Sequence, residues 1–176
     1  MAEETIPETL PEGETFMLNP SSQGVKEYDL SDLKSHDELR EATSHIIDSL
    51  AQDQTVLVEK AAMLQNVFDI MEQNPKLAAE VGEWINYNNG YLSHATDCLE
   101  ACMNELIAVD QGELDDKPLS YCGAFVTVIF TNANDHLEMI DNCVSAIEDA
   151  EKDFLERINE GELDYDPDLT HRRMMH

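Results

Sequence analysis

Residues 118–160 read PLSYCGAFVTVIFTNANDHLEMIDNCVSAIEDAEKDFLERINE. Within them Leu119, Cys122, Val126, Ile129, Ala133, His136, Ile140, Cys143, Ile147, Ala150 and Phe154 recur at alternating steps of three and four. Phe130, Leu137, Val144 and Ile158 form a second apolar row beside the first. This is the stripe of a helix packed on other helices, sustained for about five heptads. At ~1.5 Å per residue the element is roughly 60 Å long. It cannot bury such a stripe alone, so the rest of the chain must supply partners of similar length. Part of the stretch, Tyr121 to Phe130, is rich in β-branched and aromatic residues and also reads as a buried strand. It has no second strand to pair with, and a lone strand leaves its backbone unsatisfied, so the helical reading prevails.

Upstream, two more helices are expected. Ser35-His36-Asp37-Glu38 fits a capping box, in which the serine oxygen accepts from the amide of the glutamate three residues on. From there Leu39, Ala42 and Ile46 lead into Ile47, Leu50, Gln54, Leu57, Ala61, Leu64, Phe68 and Met71. Gln54 is the polar member of that seam, the kind of residue that fixes register in a coiled coil. Pro75 disfavours a helical residue before it and suits the first turn of a new helix, with Asn74 as the cap. The second stripe is Leu77, Val81, Trp84, Asn88, Tyr91, Ala95, Cys98 and Cys102, flanked by Ile85, Leu92, Leu99 and Leu106. Asn88-Asn89-Gly90 is a turn signal inside it, a place for a kink or a break. Gln111-Gly112 and Pro118 mark the next connection, and Gly161 caps the last helix.

Three long helices with short links must run antiparallel. The expected fold is all-α: an up-down-up antiparallel three-helix bundle with coiled-coil-like packing, an extended N-terminal arm and a short C-terminal tail. The arm covers residues 1–30, one bundle domain covers 31–160 with helices at about 35–74, 75–109 and 118–160, and the tail covers 161–176. Pro7, Pro11, Pro20, Gly13 and Gly24 punctuate the arm, yet Ile6, Leu10, Phe16, Met17, Leu18, Tyr28 and Leu30 are spread along it. A solvated tail has little use for such residues, so the arm reads as a docking segment.

Composition narrows the function. The 38 acidic and 10 basic residues among 176 give a formal net charge of -28. Such a surface repels nucleic acid and anionic membrane, and favours basic partners or plain solubility. The N-terminus has no basic region followed by an apolar one, and no apolar run approaches the ~20 residues of a membrane span. A soluble cytoplasmic protein is expected, or one in a host cytoplasm or particle if its source is viral. Cys98, Cys102, Cys122 and Cys143 show no CxxC pair and read as reduced core thiols rather than a disulfide framework.

Sites of chemistry are sparse. His94, Cys98 and Cys102 lie on one helical face, but no further cysteine falls level with them to close a zinc site. His94 and His136 do come level across an antiparallel hairpin, which makes them weak candidates for a metal or pH-responsive pair. The Glu-x-x-His motif of dinuclear iron bundles is absent: Tyr91 and Ala133 stand three residues before the two histidines. No phosphate loop, no nucleophile–base pair and no cofactor motif is present, so a non-enzyme without a cofactor is expected. Trp84 and Tyr91 read as core, whereas Tyr87 lies off the stripe and is the interface candidate. The expected partner-binding residues are Phe16, Met17, Leu18, Tyr28 and Tyr87.

Two functions remain. The first is an acidic structural or adaptor subunit that binds a protein partner in a homo-oligomer or larger assembly, for which a viral particle is one setting. The second is a DNA-mimic inhibitor of a nucleic-acid-binding protein. Residues 31–160 hold 27 acids and 7 bases, a net of -20. Over roughly 60 Å that is near half the charge density of duplex DNA, at about one charge per 1.7 Å. The mimic therefore undershoots and ranks second.

Overall fold

The computed structural model describes residues 15–17, 27–30 and 33–166. Among the described residues four helices carry the fold: α1 His36–Met63, α2 Gln65–Gln73, α3 Pro75–Asp110 and α4 Leu119–Asn159. The protein is an all-α bundle of antiparallel helices. Two short strands precede it, β1 Thr15–Met17 and β2 Glu27–Asp29, paired antiparallel with Phe16 opposite Tyr28. These two strands and Leu30 are the described part of the expected arm. Leu30, next after β2, is buried at 4 % exposure.

The chain divides into two compact units, Met1–Val56 with Ala95–Met139, and Leu57–His94 with Ile140–His176. In the first, the starts of α1 and α4 lie side by side, because the His36 ring nitrogen Nε2 is 2.9 Å from the carbonyl of Lys117. The loop after α3 turns the chain back into α4, so α3 runs opposite to both neighbours. Leu39, Ile46, Leu50, Leu99, Leu106, Val126 and Phe130 are buried here. Arg40 bridges Asp37 and Asp115, tying the first turn of α1 to that loop.

In the second unit the end of α4 meets the start of α3, where Arg157 lies 3.8 Å from Glu80 and also pairs with Asp153 and Glu162. Leu64, Val67, Ile70, Leu77, Ile85, Val144, Ile147 and Phe154 are buried here. The first helix, expected unbroken over 35–74, is interrupted at Leu64. The bonds Leu64 N to Ala61 O (3.1 Å) and Val67 N to Leu64 O (3.0 Å) span three residues rather than four. That tighter turn puts Leu64, Val67 and Ile70 inside at steps of three.

Helix ends follow local chemistry. Ser35 Oγ accepts from the amide of Glu38 at 3.2 Å, as the capping box requires. The Glu38 carboxylate, however, accepts from the amide of Lys34 at 2.7 Å, one residue before the cap. Gly112 and Gly161 sit at φ 81° and 78°. Each is followed by an amide that bonds five residues back, Glu113 to Ala108 and Glu162 to Arg157, which closes a Schellman turn. Asn74 does not cap α3 through its side chain. Its amide instead bonds Ile70 and the backbone of Asp164. α3 runs without a break through Asn88-Asn89-Gly90, and Tyr121 to Phe130 is helical.

Candidate functional site

The face of α3 that meets solvent carries three large aromatic side chains. Trp84, Tyr87 and Tyr91 occur at steps of three and four, so they lie on one side of the helix. They are 46 %, 68 % and 42 % exposed. Trp84 and Tyr91 were expected in the core. The buried line takes Ile85, Leu99 and Leu106 from the row expected to flank the stripe, and Leu77 and Ala95 from the stripe itself. Trp84 and Tyr91 lie at its exposed edge, on the same side of the helix as Tyr87. The Tyr87 and Tyr91 rings stack, with centroids 5.9 Å apart and planes 19° from parallel. Asn88, between them in sequence, donates from its side chain to the carbonyl of Trp84 at 2.9 Å, which occupies its polar head within the helix.

Such a row has definite chemistry. Tryptophan and tyrosine supply large contact areas and are the commonest anchors of protein interfaces. Their faces also attract guanidinium and ammonium groups. Glu80 and Glu83 stand one turn or less before Trp84 in the sequence and are exposed. The face is thus both aromatic and acidic, with Glu80 also 3.8 Å from Arg157.

The other expected site residues fall elsewhere. Phe16 and Met17 lie in β1 and Tyr28 in β2, with Phe16 and Tyr28 opposite in register; Leu18 lies outside the described residues. His94 is exposed on α3 in the second unit, and His136 is half-buried on α4 in the first. The Nδ1 atom of His136 is buried with no hydrogen-bond partner. Among the described residues no group of three or more histidine, cysteine or acidic side chains is placed to hold a metal ion.

All four cysteines are free thiols. Burial pushes the Cys102, Cys122 and Cys143 thiols up from their ordinary value, with Cys98 adding at Cys102 and Asp115 at Cys122. Cys122 donates to the carbonyl of Leu114 at 3.3 Å, a structural use of the thiol. A raised thiol pKa is the opposite of what activates a nucleophilic cysteine, so Cys102, Cys122 and Cys143 read as packing groups. Among the described residues no helix is long and apolar enough to cross a membrane. The chain matches no protein-family model, no curated protein and no solved structure.

The missed feature was the exposure of Trp84 and Tyr91. Their spacing was legible, but spacing alone assigns them to a stripe without saying which edge of the stripe faces solvent.

Proposed function

We propose that the chain is a non-enzymatic, acidic helical adaptor or structural subunit that binds a basic protein partner. The observation that carries this reading is the exposed row Trp84, Tyr87 and Tyr91 on α3. Three large aromatics at the surface of one helix have no use for solubility, whereas an interface uses all three. The net charge of -28 supplies the long-range attraction for a basic partner, and the aromatic row supplies contact area at short range. The arm residues Phe16, Met17, Leu18 and Tyr28 form a second contact in this reading.

The test is a set of binding curves against a captured and identified partner. Three forms are compared: the full chain, residues 31–176, and the triple variant Trp84→Ala, Tyr87→Ala, Tyr91→Ala. Each is measured at about 50 and about 200 mM salt. An adaptor loses affinity in the triple variant and keeps most of its affinity in salt, because apolar burial is not screened. A DNA mimic binds through carboxylates spread over the bundle. It would bind equally well in all three forms and weaken steeply with salt, and that result would replace the adaptor reading.

A further inference from the structure

The corner between α2 and α3 carries a second kind of site. Asn74 Nδ2 donates to the carbonyl of Asp164 at 2.6 Å, and the amide of Asp164 donates back to Asn74 Oδ1 at 3.0 Å. One residue earlier, Gln73 Nε2 donates to the carbonyl of Asp166 at 3.2 Å, and the amide of Asp166 donates to Gln73 Oε1 at 2.8 Å. Each of the two side-chain amides thus exchanges one donor and one acceptor bond with the main chain of one of two alternate residues, 164 and 166, while Asn74 Nδ2 also donates to the carbonyl of Ile70 at 2.8 Å. In an extended chain the N–H and C=O groups of residues i and i+2 face the same way. A residue pair that exchanges both bonds is the repeating unit of an antiparallel ladder. Gln73 and Asn74 therefore present what an edge strand would present, built from side chains at a helix corner.

These four contacts are all made to main-chain groups of Asp164 and Asp166. Between the two read residues lies Tyr165, half-buried. Burial, with the neighbouring carboxylates of Asp69 and Glu151 adding to it, pushes its phenol up from the ordinary value. The chain enters from the end of α4, where the amides of Glu162 and Leu163 bond the carbonyl of Arg157 at 2.9 and 3.3 Å.

We propose that the Gln73–Asn74 corner is a binding site for an extended peptide segment with free N–H groups at residues i and i+2 and an aromatic residue between them, and that the chain's own residues 164–166 fill it in competition with such a segment from a partner. Strand-like recognition of this kind takes its affinity from main-chain hydrogen bonds and its selectivity from the intervening side chain. An occupant tethered a few residues away has a high effective concentration, so the site is closed to weak competitors until the tail is lifted. This site does not depend on the aromatic row of α3.

The experiment uses the full chain. The double variant Asp164→Pro, Asp166→Pro removes both N–H donors of the tail and so vacates the corner. The probe is a fluorescent synthetic peptide of residues 161–168, GELDYDPD. It should bind the double proline variant at least about tenfold more tightly than the unaltered chain. Adding Gln73→Ala and Asn74→Ala to the proline variant should abolish that binding. In parallel, amide hydrogen exchange of the unaltered chain should show Asp164 and Asp166 protected and Tyr165 unprotected. Binding that is absent from the proline variant, or that survives loss of both side-chain amides, overturns the proposal. So does uniform exchange across the three residues.

Discussion

α3 and α4 are the two longest helices and use their apolar residues in opposite ways. On α4 the buried line runs through Cys122, Val126, Phe130, Ala133, Leu137, Ile140, Val144 and Ile147. It takes members from both rows of the sequence pattern and leaves Ile129 and His136 half-exposed between them. On α3 the inner line is Leu77, Ile85, Ala95, Leu99 and Leu106, and the largest side chains, Trp84, Tyr87 and Tyr91, stay outside. α4 thus spends its bulk on the core, while α3 keeps its bulk for the surface. Hydrophobic content alone does not separate a packing helix from a presenting one; the rotation of the helix about its own axis does.

Paired substitutions break or sharpen that contrast. The largest effect is expected on α4. Phe130→Asp places a charge where the side chain is 1 % exposed, and should cost more than about 4 kcal/mol and abolish the cooperative melt. Ile129→Asp, one residue away and half-exposed, should cost about 1–2 kcal/mol. Thermal denaturation followed by circular dichroism compares them, and equal losses would mean that the strict heptad row faces inward after all.

The next pair tests α3. Leu99→Ala empties a fully buried position and should cost about 2–5 kcal/mol. Trp84→Ala should cost less than about 1 kcal/mol despite removing a larger group. If the tryptophan variant were the less stable in urea titrations, the aromatic row would belong to the core and the proposed interface would fail.

Glycines on and beyond α3 give a smaller pair of opposite sign. Gly112 has φ 81°, and an added Cβ would come within 2.9 Å of Arg40 Nη1 and 3.0 Å of Asp115 Oδ2. Gly112→Ala should therefore destabilise by about 1–2 kcal/mol. At Gly90 nothing lies within 4 Å of an added Cβ, so Gly90→Ala should stabilise by up to about 1 kcal/mol. A loss at Gly90 would show that the solvent-side course of α3 is less regular than its hydrogen bonding implies.

The smallest effect is one of pH. Cys102 on α3 and Cys122 and Cys143 on α4 have thiols held above the ordinary value of 9.0. The unfolded chain therefore loses these protons first as pH rises. Their contribution to stability is complete below about pH 9 and fades as pH climbs from there through the raised values. Melting temperature should be flat on this account near neutrality and fall above pH 9. A triple Cys→Ala variant should lose part of that alkaline slope, and an unchanged slope would place the thiols in contact with water.

The amino-acid sequence by itself determined the helical class, the antiparallel order and most helix ends. Those features rest on local chemistry: the serine cap at Ser35, the ring of Pro75, and Gly112 and Gly161 in left-handed turns. Each acts within a few residues, so a linear pattern contains it. Tertiary structure alone decided which edge of each apolar stripe faces inward. A straight helix has about 3.6 residues per turn, and a heptad row drifts from it by ~20° per repeat, so neighbouring rows trade places along a long helix. The neighbours that each helix packs against choose between them, which is why Phe130 went in and Ile129 did not, and why Trp84 came out. The interruption at Leu64 and the seating of residues 164–166 on Gln73 and Asn74 are of the same kind. The seating joins residues about 90 positions apart, and no local pattern announces a hydrogen bond across that distance.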